Sequence, residues 1–279
     1  GLSDRIRSVG SRLWWLIGFG AGETDELFAV GESGVIAHRA GGAWSAMTGG
    51  PPGTTFFGVW GSSRDDLWAV GGPWDLAPEG TVKEGGVVLH YDGAAWKRTE
   101  LAVLADVPGT HYLYKVWGTS RDHAIIVGSG GLALHWDGAA WRRESTEAAL
   151  GPVKAPLFTV SGRSADDAFA IGGVNESRII HWDGTTWSSV AAGEYAASLT
   201  QGIFAAPGIP TLLTVGVSGY VGGFDSGVWD EPLPLTDDGF HAVWADAKGQ
   251  VWLAGGDITS GSPARGTIAT TAPGVPDVP

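Results

Sequence analysis

The chain contains no cysteine. That removes disulfides, thiolate metal sites and thiol nucleophiles together. It selects no compartment, because a chain of 279 residues can bury a core without covalent staples. Basic residues are scarce: 17 Lys and Arg stand against 30 Asp and Glu, for a net charge of −13. Such a charge repels polyphosphate, which argues against nucleic acid, and disfavours an anionic membrane surface. Cationic and neutral polar ligands stay open. No apolar run is long enough for a membrane span, and Leu13–Ile17 reads as a strand. No stretch sustains helical periodicity. Gly-x-Ser-x-Gly, His-Glu-x-x-His and phosphate-loop patterns are missing. A start Met is missing too, since the chain opens Gly1-Leu2-Ser3. This suggests a processed chain whose export signal lay upstream, and a secreted or cell-envelope location.

What is present is a sentence that returns. Val59-Trp60-Gly61-Ser62-Ser63-Arg64-Asp65-Asp66-Leu67-Trp68-Ala69-Val70-Gly71 is followed by Leu89-His90-Tyr91-Asp92-Gly93-Ala94-Ala95-Trp96. It comes back from Val116 to Trp141 and from Val160 to Trp187. Weaker copies begin near Gly18, Ile203 and Ala242. Phe19, Trp60, Trp117, Ser161, Phe204 and Trp244 are taken as equivalent. A repeat near 40–45 residues, cut into four short β-branched or aromatic segments, is the signature of a propeller blade. In the second copy the strands A to D are expected at 55–61, 67–70, 87–91 and 94–98, with Asp92-Gly93 as a tight turn. The recurring Trp44, Trp96, Trp141, Trp187 and Trp229 are expected to pack between blades, which accounts for much of the total of 15 Trp.

The expected fold is therefore all-β: a six-bladed β-propeller of four-stranded antiparallel blades. The sixth copy lacks a strand D, and Arg5–Val9 is expected to supply it, closing the ring and hiding two sheet edges. Five blades, with the poor fifth copy mispaired, is the alternative. One propeller domain would span 1–271. Residues 272–279 carry three prolines and read as a tail.

The motif resembles bacterial propeller repeats of the form W-G-x-S-x-x-D-x-W-A-V-G…H-x-D-G-x-x-W, common in myxobacterial exported proteins. The resemblance is good in copies two to four and partial elsewhere. It implies architecture and no common activity. It is distantly similar to the sialidase Asp-box, but Asp-Gly-x-x-Trp departs from Asp-x-Gly-x-Thr-Trp, so sialidase chemistry does not transfer.

The long irregular segments are the B–C and D–A connections: Gly72–Gly86, Glu100–His111, Glu144–Pro156, Gly173–Arg178, Ala191–Thr200 and Gly256–Arg265. In an up-and-down blade these leave from one face, where binding is expected on a rigid scaffold. Neutral loop drift is the bland alternative. Just before each Val-Trp-Gly, strand A carries Leu16, Phe57, Tyr114, Phe158, Gln201 and His241, then Ile17, Gly58, Lys115, Thr159, Gly202 and Ala242. Tyr114, Lys115, Gln201 and His241 break the repeat with polar groups, and are expected at a central mouth. His111 and Tyr112 adjoin them. Trp74 and Asp75 sit in the longest insertion, and Asn175, Glu176 and Arg178 on another rim loop. Trp74 suits stacking on a sugar or cation.

These features favour a binding module for a glycan or protein, acting as a monomer or weak oligomer. A lyase or hydrolase is the alternative, with His241 as general base, Tyr114 as proton donor and Lys115 stabilising a developing anion. A purely structural interaction disc is a third. His38, His90, His135 and His181 recur on strand C and are expected to be structural, bonded to a turn. Arg64-Asp65 and Arg121-Asp122 are expected to cap hairpins. Asp65-Asp66, Asp166-Asp167 and Asp237-Asp238 lack calcium-loop spacing, leaving calcium a weak expectation and no other cofactor or metal.

Overall fold

A computed structural model describes residues 12–20, 26–73, 85–107, 111–152, 154–174, 176–191, 200–230, 235–246, 249–256 and 266–271. The chain forms two compact units, Gly1–Glu144 and Ser145–Pro279. Each contains three antiparallel sheets whose strands follow chain order.

In the first unit, sheet one is β1 (Leu13–Phe19), β2 (Glu26–Gly31), β3 (Ile36–Ala40) and β4 (Ala43–Ala46). Sheet two is β5 (Thr55–Ser63), β6 (Asp66–Gly72), β7 (Val87–Tyr91) and β8 (Trp96–Thr99). Sheet three is β9 (Leu113–Ser120), β10 (His123–Gly128), β11 (Ala133–Trp136) and β12 (Trp141–Glu144). Sheet two is sandwiched, so both faces of its strands are apolar. Leu67 and Ala69 of β6 pack with Phe28, Val30 and Ile36 of sheet one. Trp68 and Val70, which alternate with them, pack with Leu113, Ile126 and Leu134 of sheet three.

In the second unit, sheet four is β13 (Leu157–Ser164), β14 (Asp167–Gly172), β15 (Arg178–Trp182) and β16 (Trp187–Val190). Sheet five is β17 (Thr200–Ala206), β18 (Ile209–Gly216), β19 (Val221–Asp225) and β20 (Val228–Trp229). Sheet six is β21 (Phe240–Ala245), β22 (Val251–Gly256) and β23 (Gly266–Thr270). Phe169 and Ile171 pack with Ile203 and Leu212. Val215 packs with Phe240, Val243 and Leu253. One helical turn, α1 (Glu147–Leu150), precedes β13 and buries Leu150.

Six sheets overturn the five-blade alternative. The fifth copy has lost most of the motif's letters, yet Gly202↔Val215, Ile203↔Thr214 and Phe204↔Leu213 keep the pairing. The expected closing strand Arg5–Val9 and the 272–279 tail lie outside the described residues.

Two details differ from expectation. The D strand of sheet two begins at Trp96, because the Asp92 carboxylate accepts from the N–H groups of Ala94 and Ala95 and holds them in the turn. Gly93 completes that turn at φ 87°. The second is a register error in the first copy. Ile17, not Phe19, is equivalent to Trp60: Ile17 pairs with Phe28 as Trp60 pairs with Trp68. Gly18-Phe19-Gly20 imitates the motif two residues late, and the ladder decides otherwise.

Trp96, Trp141 and Trp187 are buried, and Trp96 and Trp141 sit in the cores between sheets. Trp244 is exposed, unlike the other strand-A aromatics of the repeat.

Candidate functional site

Every A strand opens with the same irregularity. The ladder skips one residue between Leu13 and Trp15, Phe56 and Gly58, Leu113 and Lys115, Leu157 and Thr159, Thr200 and Gly202, and Phe240 and Ala242. These are β-bulges, and the skipped residues are Trp14, Phe57, Tyr114, Phe158, Gln201 and His241. A bulge re-aims one side chain away from the regular alternation. The corrected register thus puts Trp14 and Trp15 where Leu16 and Ile17 were expected. The signal that could have found this register is the Trp14-Trp15 pair itself.

In the first unit the bulge residues meet. The rings of Trp14 and Phe57 lie 5.4 Å apart, edge to face. Phe57 and Tyr114 lie 5.6 Å apart, again edge to face. Tyr112 stacks on Tyr114 with centroids 6.3 Å apart. Phe57 is buried, Tyr112 and Tyr114 are half-buried, and Trp14 is 41% exposed. Such a row offers an apolar track with hydroxyls at one end. Burial, and then the neighbouring Tyr112, raise the Tyr114 hydroxyl above the usual phenol range.

One residue further along each strand sits the inner position. Here the first unit has Trp15, Gly58 and Lys115. The Lys115 ammonium lies 3.0 Å from the centre of the Trp15 ring. Gly58 belongs to the strand between them. A Cβ there would come within 3.1 Å of the Lys115 Cα. Glycine therefore permits close approach of β5 and β9, and leaves open the space over which Lys115 reaches Trp15. Lys115 is 8% exposed, and burial pushes its pKa well below the ordinary lysine value. The ring's negative face opposes part of that shift.

His111 turns back into its own loop, where its Nε2 donates to the Val107 carbonyl at 2.9 Å. The same loop buries Leu104 and lays Leu101, Val103 and Val107 on the core.

In the second unit, Phe158 is 40% exposed, and Gln201 and His241 are half-buried. The His241 Nε2 donates to the Gly256 carbonyl at 3.2 Å. Exposed Glu176 and Arg178 form an ion pair at 2.7 Å. Between them, Ser177 donates to the Thr200 carbonyl and accepts from its N–H, tying this loop to the start of β17. Trp74, Asp75 and Asn175 lie outside the described residues.

The recurring histidines form a different system at the opposite end of the sheets. His90 bonds Asp66 at 2.8 Å, His181 bonds Asp167 at 2.9 Å, and His38 bonds Glu26 at 3.1 Å. Each carboxylate opens strand B at the A–B hairpin. The arginines expected to cap hairpins do more: Arg64 of sheet two reaches Glu26 of sheet one, and Arg121 of sheet three reaches toward Asp66 of sheet two. Sheet three alone substitutes a histidine for the carboxylate. His123 faces His135 there, edge to face at 5.0 Å, and its Nδ1 bonds Thr119. Among the described residues, no three His, Asp or Glu side chains gather as a metal site. Among them, too, no helix is long and apolar enough to cross a membrane.

No protein-family model matches the sequence, and a comparison with curated proteins finds no match. Solved structures do resemble it. YCF48 bound to D1 peptide aligns with a TM-score of 0.64 at 17% identity, covering 88% of this chain and 75% of that one. YCF48 from Cyanidioschyzon merolae aligns with the same score and identity, covering 88% and 80%. The WD40 repeats of RRP9 align at 0.61 and 11% identity, covering 82% and 69%. At such identities the likeness speaks for fold alone, and the fold is a β-propeller, with six sheets as its blades.

Proposed function

We propose that this propeller is a binding module that takes a protein or peptide partner at the end of the blades where the A strands begin. The carrying observation is the aromatic row Trp14–Phe57–Tyr114–Tyr112 in the first unit. Trp14, Phe57 and Tyr114 sit at bulges, which are positions that give up regular pairing to aim a side chain. Antiparallel order within each sheet puts the end of strand B and the start of strand C at the end where its own strand A begins. A structural neighbour was determined with a peptide, which supports a peptide over the glycan expected from Trp74. The likeness of the repeat to exported myxobacterial propellers supports a secreted or cell-envelope setting.

The test is a peptide array and a glycan array probed with the labelled chain and with Trp14→Ala and Tyr114→Ala variants. Peptide signal lost in both variants, with unchanged melting temperature, supports the reading. Signal on glycans only, or peptide signal indifferent to both substitutions, overturns it. Turnover of a captured ligand, abolished by Tyr114→Phe, would return the lyase or hydrolase alternative.

A further inference from the structure

Among the described residues Lys115 is the one buried cation. Arg64, Lys97, Arg121, Arg142, Arg163 and Arg178 each have a carboxylate partner. They are paired in a chain where acids outnumber bases 30 to 17. Lys115 is more deeply buried than any of them, yet among the described residues its one recorded partner is the Trp15 ring. A buried ammonium without a counter-ion is costly, and proteins normally pair it or leave it neutral.

The architecture does not ask for a lysine here. The equivalent residues in the other sheets are Trp15, Gly58, Thr159, Gly202 and Ala242. They range from glycine to tryptophan, and at Gly202 even a Cβ would lie 2.7 Å from the His241 carbonyl oxygen. A lysine that appears in a single copy, buried and unpaired, is placed for something other than packing. It lies directly after Tyr114, at the hydroxyl-bearing end of the aromatic row.

We propose that Lys115 is a recognition residue for a carboxylate carried by the peptide partner, at the chain end or on an Asp or Glu side chain. This rests on the binding reading above and specifies its chemistry. The anion supplies the missing counter-charge, and the aromatic row takes the neighbouring apolar side chains. Trp14, Phe57 and Tyr114 meet edge to face, at interplanar angles of 73° and 61°. Tyr112 and Tyr114 lie nearly parallel with centroids 6.3 Å apart. Such an edge-to-face row suits aliphatic and aromatic peptide side chains. Because burial depresses the Lys115 pKa, a bound carboxylate restores the charged form. Binding therefore takes up a proton wherever the free amine is partly neutral, and affinity declines as pH rises.

The experiment uses a hexapeptide library synthesised three ways: free acid, C-terminal amide, and amide with one Asp or Glu. Peptides retained by the whole chain are then measured by titration calorimetry in two buffers of different ionisation heat. The expected result is at least about tenfold tighter binding of the free acid or the Asp/Glu peptide than of the neutral amide, the range of a charge-assisted hydrogen bond. Lys115→Met should remove that preference without lowering the melting temperature. The buffer pair should show net proton uptake. Equal binding of acid and amide by the unaltered chain overturns the proposal, as does an acid preference that survives in Lys115→Met. A preference for glucuronate over peptide acids overturns the choice of a peptide. If Trp14→Ala weakens acid and amide alike while Lys115→Met changes nothing, the binding reading stands and the carboxylate proposal falls. If no library member binds, both fall.

Discussion

Lys115 and Trp15 meet at 3.0 Å across the first unit although one belongs to sheet three and the other to sheet one. The contact exists because the residue between them is Gly58. It joins an electrostatic debt to a packing convenience, and the two can be separated by substitution.

Replacing Lys115 with Met should not destabilise the fold. Met has similar length, packs on aromatic rings and needs no counter-ion. Removing an unpaired buried charge is expected to leave stability unchanged or raise it by about 1–2 kcal/mol. Chemical denaturation of the two proteins checks this. A loss above about 2 kcal/mol would mean that the ammonium is structural.

Substituting Gly58 with Val should cost about 1–3 kcal/mol, since the new side chain meets the β9 backbone at Lys115. It should also displace the ammonium from the indole, visible as a shift in tryptophan emission. Ala at the same place should show a smaller version of both effects.

Asp66 is the most buried charge among the described ion pairs, 1% exposed, and it accepts from the Ser62 hydroxyl and from His90. Asp66→Ala leaves those donors facing a hole and should cost about 3 kcal/mol. Arg121→Ala removes only the exposed outer partner, 3.8 Å away, and should cost less than about 1 kcal/mol. Equal losses in urea unfolding would contradict this ranking.

Acid should weaken the fold in two separable stages. Burial holds the His135 pKa below the ordinary imidazole value of about 6.5, with Glu144 and Asp137 opposing in part. The unfolded chain therefore takes up the proton first. The stability contributed by neutral His135 is complete above about pH 6.5 and is lost as pH falls through the lower folded value. The turn aspartates act later. Asp137, held down to about 2 by the Ala140 amide, Arg142 and the Ala139 amide, contributes above the ordinary carboxylate range and is lost toward its folded value. Melting temperatures from pH 8 to 3 should fall in both windows, and His135→Leu should flatten the first only.

Much of this was readable from the residues. Copies two to four carry intact turns, glycines and aromatics, so local preference and blade packing agree and the strands fall close to where they are expected. Recurrence also marks His90 and His181 as structural, and their partners are the repeat's own Asp66 and Asp167.

What the amino-acid order determined by itself was the blade: its period, its four strands, and the Asp-Gly turns, because these depend on neighbours in sequence. Tertiary structure alone decided the register of the first strand, the bulge that aims Trp14 and Tyr114, and the placing of Lys115 over Trp15. Those depend on which residue faces which across separate strands and sheets. A ladder can slip or skip with no change in the letters, and only the packed partner shows which alignment has the lower free energy.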